Sequence, residues 1–227
     1  MIVMLNYLCI HDLNRISYKE AFLFQTDLRN RIKQGQSTPF HLVYCEHYPV
    51  LTKGRNFEIE SMPYPDEFYL EKNITIENVD RGGGVTFHGP GQITAYFIFD
   101  LNQTKKDIHY FIHQLEEIVI NCLKDFQVIA NRHAINTGVW VKDEKICAIG
   151  IGFKHWISYH GIGFNINTDM KYFNDIIPCG LKNIGVTSLK RILHSSENIN
   201  LDLVKEKITF YANQTFKLQN KNDMGEN

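Results

Sequence analysis

Seven short runs, several of them rich in β-branched or aromatic residues, are punctuated by only three helical stretches, and this distribution decides the fold class. The runs are Phe40–Glu46, Asn73–Asp80, Ile93–Asp100, Phe126–Ala130, Thr137–Val141, Lys145–Phe153 and Gly161–Asn167. Their lengths and compositions read as strands rather than helices. The N-terminal run up to Asp12 reads as a further, first strand. Ser17 with Glu20 makes a capping box ahead of Tyr18, Ala21, Leu28 and Ile32, which share a helical face. A second helix is expected from about Thr104 to Phe126, where apolar residues recur at three- and four-residue intervals from Ile108 onward. A third begins near Asn200, with Leu201, Val204, Ile208 and Tyr211 on one stripe. Strands punctuated by a few helices, without regular βαβ alternation, predict an α+β fold.

Composition narrows the function classes. The chain has 227 residues, 44% of them apolar and 22% charged, which suits a sizeable core and argues against global disorder. No Pro/Ser-rich linker divides it. One catalytic domain is expected over residues 1–217, with a small C-terminal subregion from about residue 182 and a frayed polar tail at 218–227. A formal charge of −1 argues against a generic nucleic-acid or anionic-membrane surface. No stretch approaches the ~20 apolar residues needed to span a bilayer. The five cysteines are odd in number and form no CxxC pair, so reduced thiols in a cytoplasm-like compartment are expected rather than a disulfide framework or zinc ribbon. His109 and His113 are four apart on the long helix, but no third ligand is implied, and neither a metal nor a cofactor is expected.

Two segments carry chemistry. Arg81–Gln92 contains five glycines among twelve residues and joins two strand-like runs. Successive glycines let the backbone approach a ligand and present bare N–H groups, while Arg81 and His88 bracket the run with an anion-binding fork and a titratable ring. It is neither a Walker loop nor a dinucleotide fingerprint, and a simple hairpin would need fewer glycines. The second segment is Ile177-Pro178-Cys179-Gly180. Cys9, Cys45, Cys122 and Cys147 lie in strand-like runs or on a helical stripe, where a thiol is a small hydrophobe. Cys179 sits in a turn between proline and glycine, the better place for a nucleophile. A thiol with a pKa of about 8.5 is mostly protonated at neutral pH and needs a neighbouring cation or base. Lys145, His88 and His160 are all candidates, and spacing does not decide among them.

Taken in order, Tyr18–Ala21 with Gln25, Glu46–Arg55, Arg81–Gln92, Gly138–Val141, Lys145–Gly150, Tyr159–Gly161, Asn165–Asp169 and Pro178–Gly180 resemble the lipoyl(octanoyl) transferases, over about residues 7 to 190. The resemblance implies a mixed β-sheet body flanked by helices, the fold shared by biotin and lipoate protein ligases and of the class II aminoacyl-tRNA synthetase/biotin synthetase type. It makes Cys179 the acyl-thioester nucleophile and Lys145 the group that lowers its pKa. It assigns substrate contacts to Arg81, Gly82, Gly83, Gly84, Val85, Thr86, Phe87 and His88, to Ala148, Ile149 and Gly150, and to Gly161, Ile162 and Gly163. The implied donor is octanoyl-acyl carrier protein. The implied acceptors are lipoyl domains of 2-oxoacid dehydrogenase complexes and the glycine cleavage H protein. Gly84 stands where relatives often have a longer residue and Gly163 where some have alanine; both bear on chain-length preference.

An apolar slot for seven carbons would contribute roughly 5–6 kcal/mol at about 0.8 kcal/mol per methylene, so preference for octanoyl requires a closed end. The nearest rival is an ATP-dependent lipoate–protein ligase on the same scaffold. That class resembles this chain with His-Asp-x-Gly-Asn where His88-Gly-Pro-Gly-Gln92 stands here, and it needs no cysteine nucleophile. A catalytically silent binder of carrier or lipoyl domains, and a papain-like hydrolase, are the rivals from other classes.

Overall fold

The computed structural model describes residues 7–134, 136–177 and 185–220. Among these, β1 (Tyr7–Ile16), β2 (Phe40–His47), β6 (Gln92–Phe99), β8 (Gly138–Val141), β9 (Glu144–Lys154) and β10 (Ile157–Asn165) are the long members of a nine-stranded sheet. Short strands β7 (Asn131–Arg132), β11 (Gly185–Val186) and β12 (Gln219–Asn220) complete it in the order β12-β1-β2-β6-β10-β9-β8-β7, with β11 beside β9. β1 runs parallel to β2 and β12, and β11 parallel to β9; the other pairs are antiparallel. A second sheet, in the order β4-β3-β5, is built from β3 (Val50–Lys53), β4 (Thr75–Asn78) and β5 (Val85–His88).

Helices cover the main sheet on both faces. α3 (Ile108–Asp125) and α5 (Leu201–Phe216) pack Phe111, Leu115, Ile118, Val204 and Ile208 onto Phe40, Leu42, Phe97, Ile162 and Phe164. On the other face, α1 (Tyr18–Lys33) sets Ala21, Leu28 and Ile32 against Val43, Cys45, Tyr96 and Ile98. Beside α1 on that face lies the small sheet, whose own core gathers Leu51, Val85 and Phe87 with Tyr69 of α2 (Asp66–Glu71). The small helix α4 (Leu189–Ile192) leads toward α5.

The capping box at Ser17 and Glu20 is present, and Asn200 caps α5. Three expectations differ. The long helix starts at Ile108 under an Asp107 cap, because Thr104–Asp107 follows a 3-10 turn and lies before the apolar stripe. Phe126–Ala130 is not a strand: Phe126 caps α3, and Val128 and Ala130 enter the core from an extended connection without ladder partners of their own. Apolar alternation alone could not separate such a buried connection from a strand. At the C-terminus Leu218 is in the core and Gln219–Asn220 pair with Tyr7–Leu8, so the ordered body extends past residue 217. The boundary expected near residue 182 lies outside the described residues, as do 221–227. No described helix is long and apolar enough to cross a membrane.

Candidate active site

Three local devices aim side chains into the seam between the main sheet and its small-sheet cover. The first is a bulge. Cys147 pairs with Val139 but Lys145 pairs with Trp140, so Ile146 is an extra residue on β9. Cys147 and Ile146 both face the α3 core, and the bulge therefore returns Lys145 to the opposite, cavity face. Without it, strict alternation would send Lys145 into the core. The second is Gly138, at φ 134°, where a Cβ would lie 3.3 Å from Lys145 Cε. The third is His160. Alternation with Ile162 and Phe164 would point it toward α3, but its φ of 61° turns the ring toward α1 instead. A non-glycine residue held left-handed inside a strand is strained by about 1–3 kcal/mol, which the packing around it must offset.

The resulting cavity has a volume of about 440 Å³, within the ordinary range of about 300–1,000 Å³ for small-molecule pockets. Thr94 and Tyr96 of β6, Gly161 and Gly163 of β10 and Ala148 and Gly150 of β9 form one wall. Gly82–Gly84, Thr86 and His88 form the facing one. The small residues are required there: a Cβ on Gly150 would meet Arg81 Cδ at 2.7 Å and Gly82 O at 3.0 Å. The Gly82 N–H is donated to Ile151 O at 3.2 Å, which docks the glycine run on β9.

Lys145 lies near one end and Tyr18 with His160 near the other, since His160 pairs with Ile151, six residues along β9; that is about 20 Å of extended strand. Lys145 is only 5% exposed. Its ammonium donates to Asn136 Oδ1 and to Thr137 O at 3.1 Å, and lies 4.9 Å from the Trp140 ring centroid. Arg81 is also buried. Its guanidinium donates to Thr52 O and Oγ1 at 2.8 and 2.7 Å and to Gly82 O at 2.9 Å, so it shapes the glycine run from beneath.

The histidines on this face are neutral. Burial holds His47 down to about 4; its Nδ1 donates to Ile16 O at 2.9 Å and its Nε2 accepts the Tyr96 hydroxyl at 2.6 Å. Burial also keeps His88 well below the usual imidazole range. Gln92 donates its amide to Phe87 O and Asn165 Oδ1, so its oxygen accepts from His88 Nδ1–H at 2.7 Å, leaving His88 Nε2 as an acceptor. His160 is likewise lowered by burial, while the hydrogen bond from His160 holds the Asp80 carboxyl far below its ordinary range. The 3.0 Å contact between them is thus a neutral ring donating to a carboxylate, with Tyr18 donating to the ring's Nδ1 at 3.1 Å.

Of the residues the resemblance assigns, Lys145, Arg81, Gly82, Gly83, Gly84, Val85, Thr86, His88, Ala148, Ile149, Gly150, Gly161, Ile162 and Gly163 line this one cavity. Phe87 does not: it alternates away from Thr86 and His88 and stacks on Tyr172 at 4.3 Å in the small-sheet core. Cys179 lies outside the described residues. Tyr18, Thr94, Tyr96, Asn136 and Thr137 were not expected as lining residues. Tyr18 and Tyr96 stand in helix or strand patterns that read as core, and only the seam exposes their polar ends. Cys45, Cys122 and Cys147 are buried thiols pushed up by desolvation, Cys122 to about 12. His109 and His113 are exposed on α3, and no metal-ligating cluster occurs among the described residues.

The family described as Lipoyl protein ligase A/B catalytic domain matches residues 17–211. A protein named Octanoyltransferase from Thermoanaerobacter sp. (strain X514) is 40% identical over 201 residues, 88% of this chain and 86% of that one. Another of that name, from Caldicellulosiruptor bescii, is 42% identical over 209 residues, 90% of this chain and 89% of that one. Among solved structures, a putative lipoate protein ligase from T. acidophilum with bound lipoic acid superposes with a TM-score of 0.75 at 14% identity, covering 96% of this chain and 88% of that one. Biotin protein ligase from Aquifex aeolicus superposes with a TM-score of 0.51 at 12% identity, covering 94% and 70%. At such identities these two likenesses speak to the fold, which is the α+β, mixed-sheet ligase architecture.

Proposed function

The chain belongs to the lipoyl protein ligase A/B catalytic-domain family, and from that premise we propose that it is an octanoyltransferase working through an acyl-Cys179 thioester. The donor is an octanoyl carrier protein and the acceptor is a lysine of a lipoyl domain, among them those of 2-oxoacid dehydrogenase complexes and the glycine cleavage H protein. The Cys179 thiolate attacks the thioester carbonyl carbon; the tetrahedral intermediate collapses, the carbon–sulfur bond to the carrier breaks, and Lys145 gives the departing thiolate a proton. The neutral amine of the acceptor lysine then attacks the acyl-cysteine. The new carbon–nitrogen bond forms, the Cys179 sulfur leaves, and the proton lost by the amine returns to Lys145. The net change is a thioester exchanged for an amide and a free carrier thiol, with no nucleotide used.

The observation that carries this reading is the buried Lys145 ammonium, turned by a bulge into a cavity walled by glycines and by Thr94, Tyr96 and Ala148 of the main sheet. Its surroundings support Cys179 as partner. Ile177, two residues before Cys179, donates its N–H to Ser61 O at 2.8 Å, and Ser61 lines the cavity. Gly185–Val186 then run beside Glu144–Lys145. The same geometry supports the substrate-contact roles of the glycine run, Ala148–Gly150 and Gly161–Gly163.

The test is turnover of octanoyl carrier protein with a lipoyl domain in the absence of ATP. The expected product is a lipoyl domain heavier by one octanoyl group on its target lysine, lost in Cys179→Ala. Transfer from free octanoate that requires ATP and releases pyrophosphate would instead place the chain with the ligases.

A further inference from the structure

The floor of the cavity is a trough almost without side chains, and it stops abruptly. Ala148 and Gly150 of β9 lie beside Gly163 and Gly161 of β10 on the cavity face. Alternation makes Gly152 and Tyr159 the next pair on that face. There the trough is filled, since a Cβ on Gly152 would lie 2.5 Å from Tyr159 Cζ. Next to it, the left-handed backbone of His160 turns a second ring to the same side. Both rings are buried.

One carboxylate holds both rings. Asp80, the residue before Arg81, accepts from the Tyr159 hydroxyl through Oδ2 at 2.6 Å and from His160 Nε2–H through Oδ1 at 3.0 Å. From α1, Tyr18 donates to His160 Nδ1 at 3.1 Å, and Gln25 Oε1 accepts the His160 N–H at 2.8 Å. The loop after β4, the helix and the main sheet thus all contribute to one end wall.

Its distance from Lys145 fits an eight-carbon chain. Lys145 Cε lies beside Gly138, whose ladder partner on β9 is Ala148. From Ala148 the strand runs three residues to Ile151, the partner of His160, and that is about 10 Å of extended strand. Seven staggered carbon–carbon bonds of about 1.5 Å span about 9 Å. An octanoyl group with its carbonyl beside the ammonium therefore brings its methyl end to the two rings. Two further methylenes find no space unless the rings move.

We propose that Asp80 is a positioning residue for acyl-chain length: by holding the Tyr159 and His160 rings it fixes the wall on which an octanoyl chain ends. The assignment rests on the reading of the chain as an octanoyltransferase, and Asp80 acts only through the two rings.

The experiment is ATP-free transfer to a lipoyl domain from hexanoyl, octanoyl, decanoyl and dodecanoyl carrier protein, read as kcat/KM for wild type, Asp80→Ala, Asp80→Asn and Tyr159→Phe. Wild type is expected to prefer octanoyl. In Asp80→Ala the decanoyl-to-octanoyl ratio is expected to rise by about tenfold or more, the scale on which a fitted apolar pocket discriminates a methylene. The octanoyl kcat is expected to change by less than about threefold. Asp80→Asn still accepts from His160 and can donate to the Tyr159 oxygen, so it is expected to keep the wild-type ratio. Tyr159→Phe loses one of the two bonds and keeps the ring; a smaller rise is expected, and this variant carries the test if Asp80→Ala fails to fold. A merely structural role for Asp80 would lower all four donors together. Ratios unchanged in the Asp80→Ala and Tyr159→Phe proteins, or a wild type that takes decanoyl as readily as octanoyl, would overturn this assignment alone. A wild type that transfers no octanoyl without ATP would overturn the reading as an octanoyltransferase and this assignment with it.

Discussion

Gly161 and Gly163 face the same cavity two residues apart, yet they differ in what a methyl group would meet. A Cβ on Gly161 would lie 1.9 Å from the Ala95 carbonyl oxygen, a backbone atom fixed by the β6 ladder. On Gly163 it would lie 3.2 Å from His88 Cε1 and 3.0 Å from Gln92 Oε1, the ends of side chains. Gly161→Ala is therefore expected to lower stability by at least about 3 kcal/mol, at or beyond the usual range for overpacking, read as the shift in a urea midpoint. Gly163→Ala is expected to fold, to narrow the slot and to favour hexanoyl over octanoyl donors relative to wild type. Equal stability of the two variants would contradict this difference. At this scale the sequence was most informative where a motif names residues together. Arg81 and the glycines stood out within one run, and Lys145 only through the ordered blocks that carry the family resemblance. Asn136 and the pairing of Tyr18 with His160 and Asp80 did not, because contacts between residues 9 to 142 positions apart leave no local trace.

Elements supply the aim that single residues cannot. β9 carries Lys145 to the cavity only because Ile146 is extra, and β10 carries His160 there only through one left-handed residue. Both departures interrupt alternation by a single position, which is why Lys145–Phe153 reads from sequence as an ordinary strand. α1 is the opposite case: Ser17 and Glu20 make its start legible, and the capped first turn sets Tyr18 at the cavity end. Ser17→Ala removes the side chain that accepts from Glu20 N–H. Loss of a cap of this kind costs about 1 kcal/mol, so a thermal midpoint lower by a few degrees is expected, with kcat/KM retained when assayed well below it. An unchanged midpoint would mean that the cap contributes nothing. β3 and β5 escaped a sequence reading for local reasons: β3 offers only Val50 and Leu51 before the polar Thr52-Lys53, and β5 lies inside a segment whose glycines read as loop.

The whole molecule places a helix and a small sheet side by side on one face of the main sheet, and the cavity is the seam between the two sheets, with Tyr18 of the helix at one end. Buried neutral histidines lie along that seam, and this predicts a direction for acid sensitivity. His47 has a pKa lowered from 6.5 to about 4. The unfolded chain therefore binds a proton that the folded one refuses between those values, so stability is complete above about 6.5 and falls as pH drops toward 4. Its share is on the order of 3 kcal/mol at 1.36 kcal/mol per unit. His47→Gln is expected to flatten the fall in urea midpoint between pH 6.5 and 4, and an unaltered slope would show that His47 does not carry it. The α+β class was legible because strand runs outnumber helices; the two-sheet seam was not, since it depends on which strands pair.

Transfer through Cys179 requires a covalent intermediate, and the most direct measurement is intact-protein and peptide mass spectrometry after mixing with octanoyl carrier protein and no acceptor. The predicted result is one octanoyl group, hydroxylamine-labile as a thioester, on the peptide containing Cys179. Label on Cys9 or another cysteine, or no covalent label while full turnover proceeds, would contradict it.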